Sequence, residues 1–532
     1  MRSVPWGVWV LALLIAAVTS LPYLAGWLAA PDGWVYSGAP VLPAGAQLDY
    51  YSHLAKMWQG SRGQWAYELL FTHEPHPGVP LLQGFYVALG AVAAVTPFSL
   101  PVVYHIARFL LTAGMVIALW AYVSHYFVQP RDRWLALLLA TAAGGMSWLL
   151  LMIDPAQTRE ISPIEFWLLD AFNLLGALSM PHFTAAIILQ AAAVLAFERW
   201  VQAEGAKLKW VGGLAVALVA AGLVQPYSIV LFAPLFGLAA GYHIFIARRV
   251  LLGRGLWLLL PFALHTGLTV YHLWAVRSDP VWSDFAAQNL TLSPPPVYYV
   301  LGYLPFWLPT ILAGRRLLQE RWLLPLLWVM IVAVLVYAPL PTQRRYLLGV
   351  QTPLSVLAAY GWSSAVLPRL RQGYGRLATA VYLVFASVGV VGMLAANVAG
   401  VLQAEGLYYS PDEWAAAGWL REANSDQDAV ILTTFDRSGQ GSGGRVVAAT
   451  GQRVYAGHWI ETAFLDEKVN NLHRFFAAET SDDWRQAFLK ETGVVYIWYD
   501  ENTRELGDWN PDTVDYLEAV FESDTVTIYR AM

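Results

Sequence analysis

The 532 residues are 57% hydrophobic and 13% charged, about half the charge of an average soluble domain, with a net charge of −5. Many apolar runs reach the roughly 20 residues that a membrane-spanning helix needs, so the chain reads as an all-α polytopic membrane protein and not as a soluble globule. The absence of cysteine excludes disulfides, thiol catalysis, iron–sulfur clusters and cysteine zinc sites.

The charge is unevenly distributed. Residues 405–532 hold 23 acidic and 10 basic side chains, and the rest of the chain holds 14 and 22. A basic membrane part with an acidic, soluble-looking tail follows, and such a tail does not bind nucleic acid. The 25 Trp and 27 Tyr accord with aromatic belts at membrane interfaces.

In chain order, Met1-Arg-Ser-Val-Pro5 precedes an apolar run over 6–29, read as a signal-anchor that stays as the first span. A first outer loop, about 30–80, follows. Its segment Gln47–Lys56 is expected to be helical, with Asp49, His53 and Lys56 at i, i+4 and i+7 on one face and Leu48, Tyr51, Ala55 and Trp58 on another. Such a helix would lie in the membrane interface with its charges toward water. Thr72-His-Glu-Pro-His-Pro-Gly78 closes the loop and adds Glu74 and His76. An acid with nearby histidines can hold a metal or move a proton; the competing reading is a solvated helix and an ordinary turn.

Further spans are expected near 82–97, 102–124, 134–153, 180–197, 209–225, 228–247, 255–276, 297–313, 322–339, 346–367 and 377–401. Arg2, Arg131/Arg133, Lys207/Lys209, Arg248/Arg249/Arg254, Arg315/Arg316/Arg321 and Arg369/Arg371/Arg376 mark the cytoplasmic side. The loops near 154–179 and 277–296 and the tail then face outward. An inside Arg2 and an outside tail require an odd number of crossings, about 11–13 in all, with the Gly-interrupted 82–97 segment as the one to re-enter instead of cross.

Glu165 in the loop 154–179 faces either a cavity or water, and His182 follows Pro181 at a span entrance. Arg108 lies within an apolar run, where it is either functional or snorkels to a helix end. Gln343-Arg-Arg-Tyr346 puts Arg344 and Arg345 at an outer span end, against the positive-inside trend. Such a pair either grips an anionic phosphate head group or is neutralised by loop carboxylates.

The domain division is 1–403 membrane and 404–532 soluble. In the tail, Ser410-Pro-Asp-Glu413 is a capping box opening a helix to about 422. A strand over 429–433, a Gly/Ser turn over 438–444, a short strand over 453–455, helices near 465–478 and 482–491, and strands near 494–499, 518–522 and 525–530 complete a small α/β domain. Gly457-His-Trp-Ile-Glu-Thr462 places His458 and Glu461 after a strand end, as a ligand-contacting loop or as helix capping. Gly439–Gly444 lacks the Lys-Ser/Thr of a phosphate loop, and Asn289-Leu-Thr291 is only a weak glycosylation pattern.

These features together resemble the GT-C type integral-membrane glycosyltransferases, which include protein O-mannosyltransferases and the aminoarabinose transferases of lipid A. The resemblance covers roughly residues 1–400. It is carried by Leu48-Asp-Tyr-Tyr-Ser-His53, Ala107-Arg108, Pro181-His182 and Arg344-Arg-Tyr346 with Pro353; the tail, with Gly451–His458, looks like those of uncharacterised bacterial members. The resemblance implies a sugar donor on polyprenyl phosphate, a glycan, lipid or protein acceptor, and a site open to the outer face of the cell membrane. Asp49 would be the first-loop acid that acts as base, with His53 beside it, and Arg344 or Arg345 would hold the donor phosphate. Glu74, His76, Glu165, His182, His458 and Glu461 stand as acceptor or accessory positions. Tyr50 stands where many members carry a second acid, so a divalent metal, magnesium or manganese, would need His53 or Glu74 as its further ligand. A transporter or flippase for lipid-linked glycans, and a non-catalytic scaffold, are the competing functions.

Overall fold

The computed structural model describes residues 4–43, 45–203, 208–424 and 429–532, so Arg2 and Lys207 lie outside the described residues. The chain is mostly helical and divides into two compact units, one of Met1–Pro22, Tyr104–His272 and Leu290–Ala399, the other of Tyr23–Val103, Leu273–Asn289 and Gly400–Met532.

The first unit is built from apolar helices. Among the described residues of the whole chain, five helices are long and apolar enough to cross a membrane, or seven if each of two bent pairs counts as one span. The longest are Leu100–Tyr126, Leu252–Arg277 and Gly375–Val401. Other expected spans are broken, for local reasons. Pro296–Gly302 meets Leu304–Leu317 at 73°, where Pro305 at the start of the second helix supplies no N–H to the preceding turn. The expected span 134–153 stops at Thr141, because the Gly144 N–H leaves the helix to bond the Ala386 carbonyl at 2.6 Å. Buried polar side chains stitch these breaks. Gln351 donates to the Leu139 and Ala143 carbonyls at 2.7 Å each and accepts from the Asn173 N–H at 2.7 Å. Arg108 is buried and donates to the Thr19 and Ala177 carbonyls and to the Ser20 hydroxyl, which answers its solvation inside an apolar run.

The second unit joins the tail to the first loop. A four-stranded sheet runs in the order Val430–Leu432, Val494–Tyr499, Thr527–Ala531, Leu517–Glu522, with the first pair parallel and the others antiparallel. The capping box forms as expected, with Ser410 and Glu413 each bonding the other's backbone N–H at the start of Pro411–Ala423. The expected strand at 453–455 is reduced to a single bridge between Val454 and Ile431. A helix, Gly443–Thr450, begins inside the expected Gly/Ser turn. Val35–Tyr36 pairs antiparallel with Tyr408–Tyr409, and the core mixes first-loop residues (Ala55, Leu70, Phe71) with tail residues (Ile431, Val447, Val454, Ile528).

Within this unit the first-loop helix Ala46–Ser61 packs on Gly84–Ala94 at glycine contacts. A Cβ on Gly60 would sit 1.9 Å from the Val87 carbonyl oxygen, and one on Gly90 2.0 Å from that of Met57. The 11 residues of Gly84–Ala94 rise only ~16 Å, about half the hydrocarbon thickness, so this segment is too short for a full crossing.

Candidate functional site

Helix Ala46–Ser61 was expected to turn its charges toward water. It is instead buried on nearly all sides, His53 and Lys56 included. The amphipathic pattern misleads here because the tail supplies polar partners from some 400 residues away. Lys56 Nζ lies 2.7 Å from Glu461 Oε1, with side chains 2% and 4% exposed. Ser52 donates to the same oxygen at 2.6 Å, and the Tyr67 hydroxyl donates to Oε2 at 2.5 Å. Burial pushes the Glu461 carboxyl up, but the Lys56 ammonium and the hydrogen bonds more than offset it, holding the group below the usual carboxylate range. His53 is also buried and stacks on Tyr86 with ring centroids 3.8 Å apart.

Asp49, in the first turn of the same helix, is different: its side chain is 43% exposed. The nearest tail group is His458, whose Nε2 lies 4.0 Å from Asp49 Oδ1. His458 Nδ1 accepts the N–H groups of Ile460 and Glu461 at 3.0 and 3.1 Å. An acceptor Nδ1 puts the ring proton on Nε2, and burial lowers the imidazole's pKa and keeps it neutral. His458 therefore accepts backbone donors within a turn and not at a helix start, since the next helix begins at Leu465.

Glu74 and His76 go to a neighbouring cluster. The buried Lys468 ammonium bonds Glu74 and the Thr72 hydroxyl at 2.7 Å each, and Thr72 also donates to Glu74. Burial raises Glu74 and Lys468 outweighs it, so Glu74 titrates low, while burial brings Lys468 down to about 8. His76 has both ring nitrogens on backbone, accepting from the Leu69 N–H at 2.9 Å and donating to the Glu74 carbonyl at 2.7 Å, which makes it a turn-fixing residue. The segment 273–289 closes on this region through the Trp282 indole N–H, 2.8 Å from the Pro77 carbonyl, and Asp284, which accepts the Phe464 N–H at 2.8 Å.

The remaining predicted residues lie in the first unit. Arg345 Nη1 is 3.6 Å from the buried Asp170 Oδ2, and the Arg344 guanidinium stands 5.0 Å over the Trp167 ring. Asp170 thus orients Arg345, and the Trp167 ring carries the Arg344 guanidinium. The backbone there is fixed by the Arg344 N–H on the Thr291 carbonyl and the Thr291 N–H on that of Pro341. Glu165 is fully buried and accepts from the Ser147 N–H and hydroxyl, so it is neither water-facing nor open to a cavity ligand. His182 packs on Phe183 at the start of Pro181–Gln202. Ser52, Tyr67, Thr72 and Lys468 were not singled out from the sequence. Their types are common, and their partners are remote in the chain.

Among the described residues no three His, Cys, Asp or Glu side chains come together to hold a metal ion. Of the two residues expected to complete a metal site, His53 stacks on Tyr86 and Glu74 is paired with Lys468.

No family model and no curated protein matches the chain. Solved structures do share its fold. The oligosaccharyltransferase AglB of Archaeoglobus fulgidus, in complex with an inhibitory peptide and a dolichol-phosphate, is 14% identical over 93% of this chain and 69% of its own, with a TM-score of 0.52. ArnT of Cupriavidus metallidurans bound to undecaprenyl phosphate is 12% identical over 99% of this chain and 98% of its own, with a TM-score of 0.51. The arabinofuranosyltransferase AftD from Mycobacteria is 15% identical over 97% of this chain, which spans only 41% of AftD, with a TM-score of 0.54. The chain has the fold of the GT-C glycosyltransferases.

Proposed function

We propose that this protein is a membrane glycosyltransferase that moves a sugar from a polyprenyl-phosphate donor to a hydroxyl acceptor at the outer face of the cell membrane. The observation that carries the reading is the fold match along nearly the whole chain to three transferases, two of them solved with a polyprenyl-type lipid phosphate. In this reading the membrane part extends to about residue 403 with 11–13 crossings, several of them through broken helices. The tail 404–532 faces outward.

Asp49 is assigned as the general base. It takes the proton of the acceptor hydroxyl while that oxygen attacks the anomeric carbon, and the bond from that carbon to the phosphate oxygen breaks. Negative charge then develops on the departing lipid phosphate; as a separate assignment, Arg344 and Arg345 of the first unit are the guanidinium groups suited to binding a lipid phosphate. The exposure of Asp49 amid buried neighbours supports the first assignment. The fixed setting of the two guanidinium groups, Arg345 beside Asp170 and Arg344 over Trp167, supports the second. A positioned base supplies typically 10²–10⁴-fold. No step through a metal is derived, since the residues form no cage for one.

The test separates transferase from flippase. The full chain in liposomes is given a panel of undecaprenyl-phosphate-linked pentoses and hexoses together with glycan, lipid and peptide acceptors that carry free hydroxyls. A transferase liberates undecaprenyl phosphate, and the proposal expects this for at least one sugar. Intact sugar-lipid redistributed between leaflets, with no lipid phosphate liberated, would establish the flippase instead.

A further inference from the structure

We propose that His458 is a positioning residue for Asp49: a buried, neutral N–H donor that fixes one oxygen of the Asp49 carboxylate and leaves the other to receive the acceptor's proton. The inference rests on the reading of Asp49 as the base.

Four observations carry it. His458 Nδ1 is committed to two backbone N–H groups, so the single ring proton sits on Nε2 and points away from them. The ring is 3% exposed, and Phe71 lies against it at 5.4 Å, so its direction is fixed by packing as well as by hydrogen bonds. Among the described residues Nε2 has no hydrogen-bond partner, an unusual state for a buried donor. The carboxylate nearest to it is Asp49, 4.0 Å away, on a side chain exposed enough to swing. An approach of about 1 Å makes a normal N–H···O bond of roughly 2.9 Å.

The charged groups around the imidazole are Glu461, Asp49 and Lys56. Glu461 is already neutralised by Lys56 at 2.7 Å. Asp49 is therefore the acid left for the Nε2–H to serve. The donor would hold a mobile side chain in one rotamer, which general-base geometry requires. The Glu461–Lys56 pair gains a purpose in this arrangement. It anchors the turn whose backbone N–H groups lock the His458 tautomer.

Two measurements on the full chain in liposomes test the proposal. The first follows release of undecaprenyl phosphate from the sugar-lipid panel, for wild type, Asp49→Asn, His458→Phe and His458→Gln. His458→Phe keeps an aromatic ring against Phe71 and removes the donor. It should lower kcat on the order of 10- to 100-fold and leave KM for the lipid donor unchanged. His458→Gln restores a neutral N–H and should recover part of the loss in kcat. The second measurement needs no substrate: histidine-selective ¹⁵N NMR, with His458 assigned by its loss in His458→Gln. It should show the Nε2–H tautomer at neutral pH and a shifted signal in Asp49→Asn. An imidazolium or an Nδ1–H tautomer at pH 7 would overturn the inference. Wild-type kcat in His458→Phe, beside an inactive Asp49→Asn, would overturn it and leave the base assignment standing. Full turnover in Asp49→Asn would remove both.

Discussion

Replacing Lys56 by Met tests the buried ion pair that ties the first-loop helix to the 457–462 turn. Lys56 and Glu461 are 2% and 4% exposed and 2.7 Å apart. Without Lys56 the carboxylate keeps its bonds from Ser52 and Tyr67 but loses its counter-charge in a dry setting. Breaking a buried pair from one side costs about 3–5 kcal/mol. At 1.36 kcal/mol per tenfold, this opens the unit roughly 10²–10⁴-fold more often. Hydrogen–deuterium exchange of peptides from Ala46–Ser61 and 457–463 reads this directly. The pH dependence has a definite sign. In the wild type, Glu461 titrates below its unfolded value, so its contribution is present above that value and is lost as pH falls through the folded one. In Lys56→Met, burial is opposed only by the remaining hydrogen bonds and His458 and raises the carboxyl relative to wild type, so the variant loses least at low pH. The gap between the two proteins therefore narrows on acidification. The double variant Lys56→Met/Glu461→Met should recover most of the loss, because two apolar side chains leave no orphan charge. Exchange within about threefold of wild type in the single variant, or a double variant no better than the single, would refute the reasoning.

Other outcomes follow from the same structure. Gly90→Ala drives a methyl into the Met57 carbonyl and should cost about 1–3 kcal/mol, seen as a lower unfolding temperature, while Gly84→Ala, with nothing within 4 Å, should not. Lys468 is held at about 8, below its ordinary 10.5, so the unfolded chain binds its proton more tightly than the folded one. This lysine should add stability as pH rises from about 8 to 10.5, and Lys468→Met should lack that rise in a comparison of unfolding against pH. Arg345→Lys keeps the charge and removes the planar fork. Its KM for the lipid-phosphate donor should rise on the order of tenfold, the worth of one charge-assisted hydrogen bond.

Local signals were legible in the sequence wherever the chain acts on near neighbours. The Ser410–Glu413 box, the helix starting at Leu465 and the strand Val494–Tyr499 all fall within a residue or two of expectation. The long apolar helices were equally plain. The breaks were harder to read: the Gly144 N–H turns to Ala386, 242 positions on, and hydropathy carries no trace of such a bond. Val454 illustrates the same limit, because a strand needs a partner over several residues and this one has a single bridge.

At the candidate site, the residue types were legible and their surroundings were not. Asp49, His458 and Glu461 were all singled out, but the face shared by Asp49, His53 and Lys56 looked wet because its partners lie in the tail. A lysine at i+7 from an acid reads as a solvated charge until Glu461 is placed beside it. Glu165 shows the reverse case: it reads as a loop carboxylate, yet the Ser147 N–H and hydroxyl bury it completely.

The central claim is that Asp49 is the base of a sugar transfer from a lipid phosphate. Its most direct test is turnover of the undecaprenyl-phosphate-sugar panel by wild type and Asp49→Asn, side by side in liposomes, with folding checked by hydrogen–deuterium exchange. The account predicts that the wild type liberates undecaprenyl phosphate from at least one sugar-lipid, and that Asp49→Asn, folded alike, is slower by about 10²–10⁴-fold. Equal rates in the two proteins would contradict it.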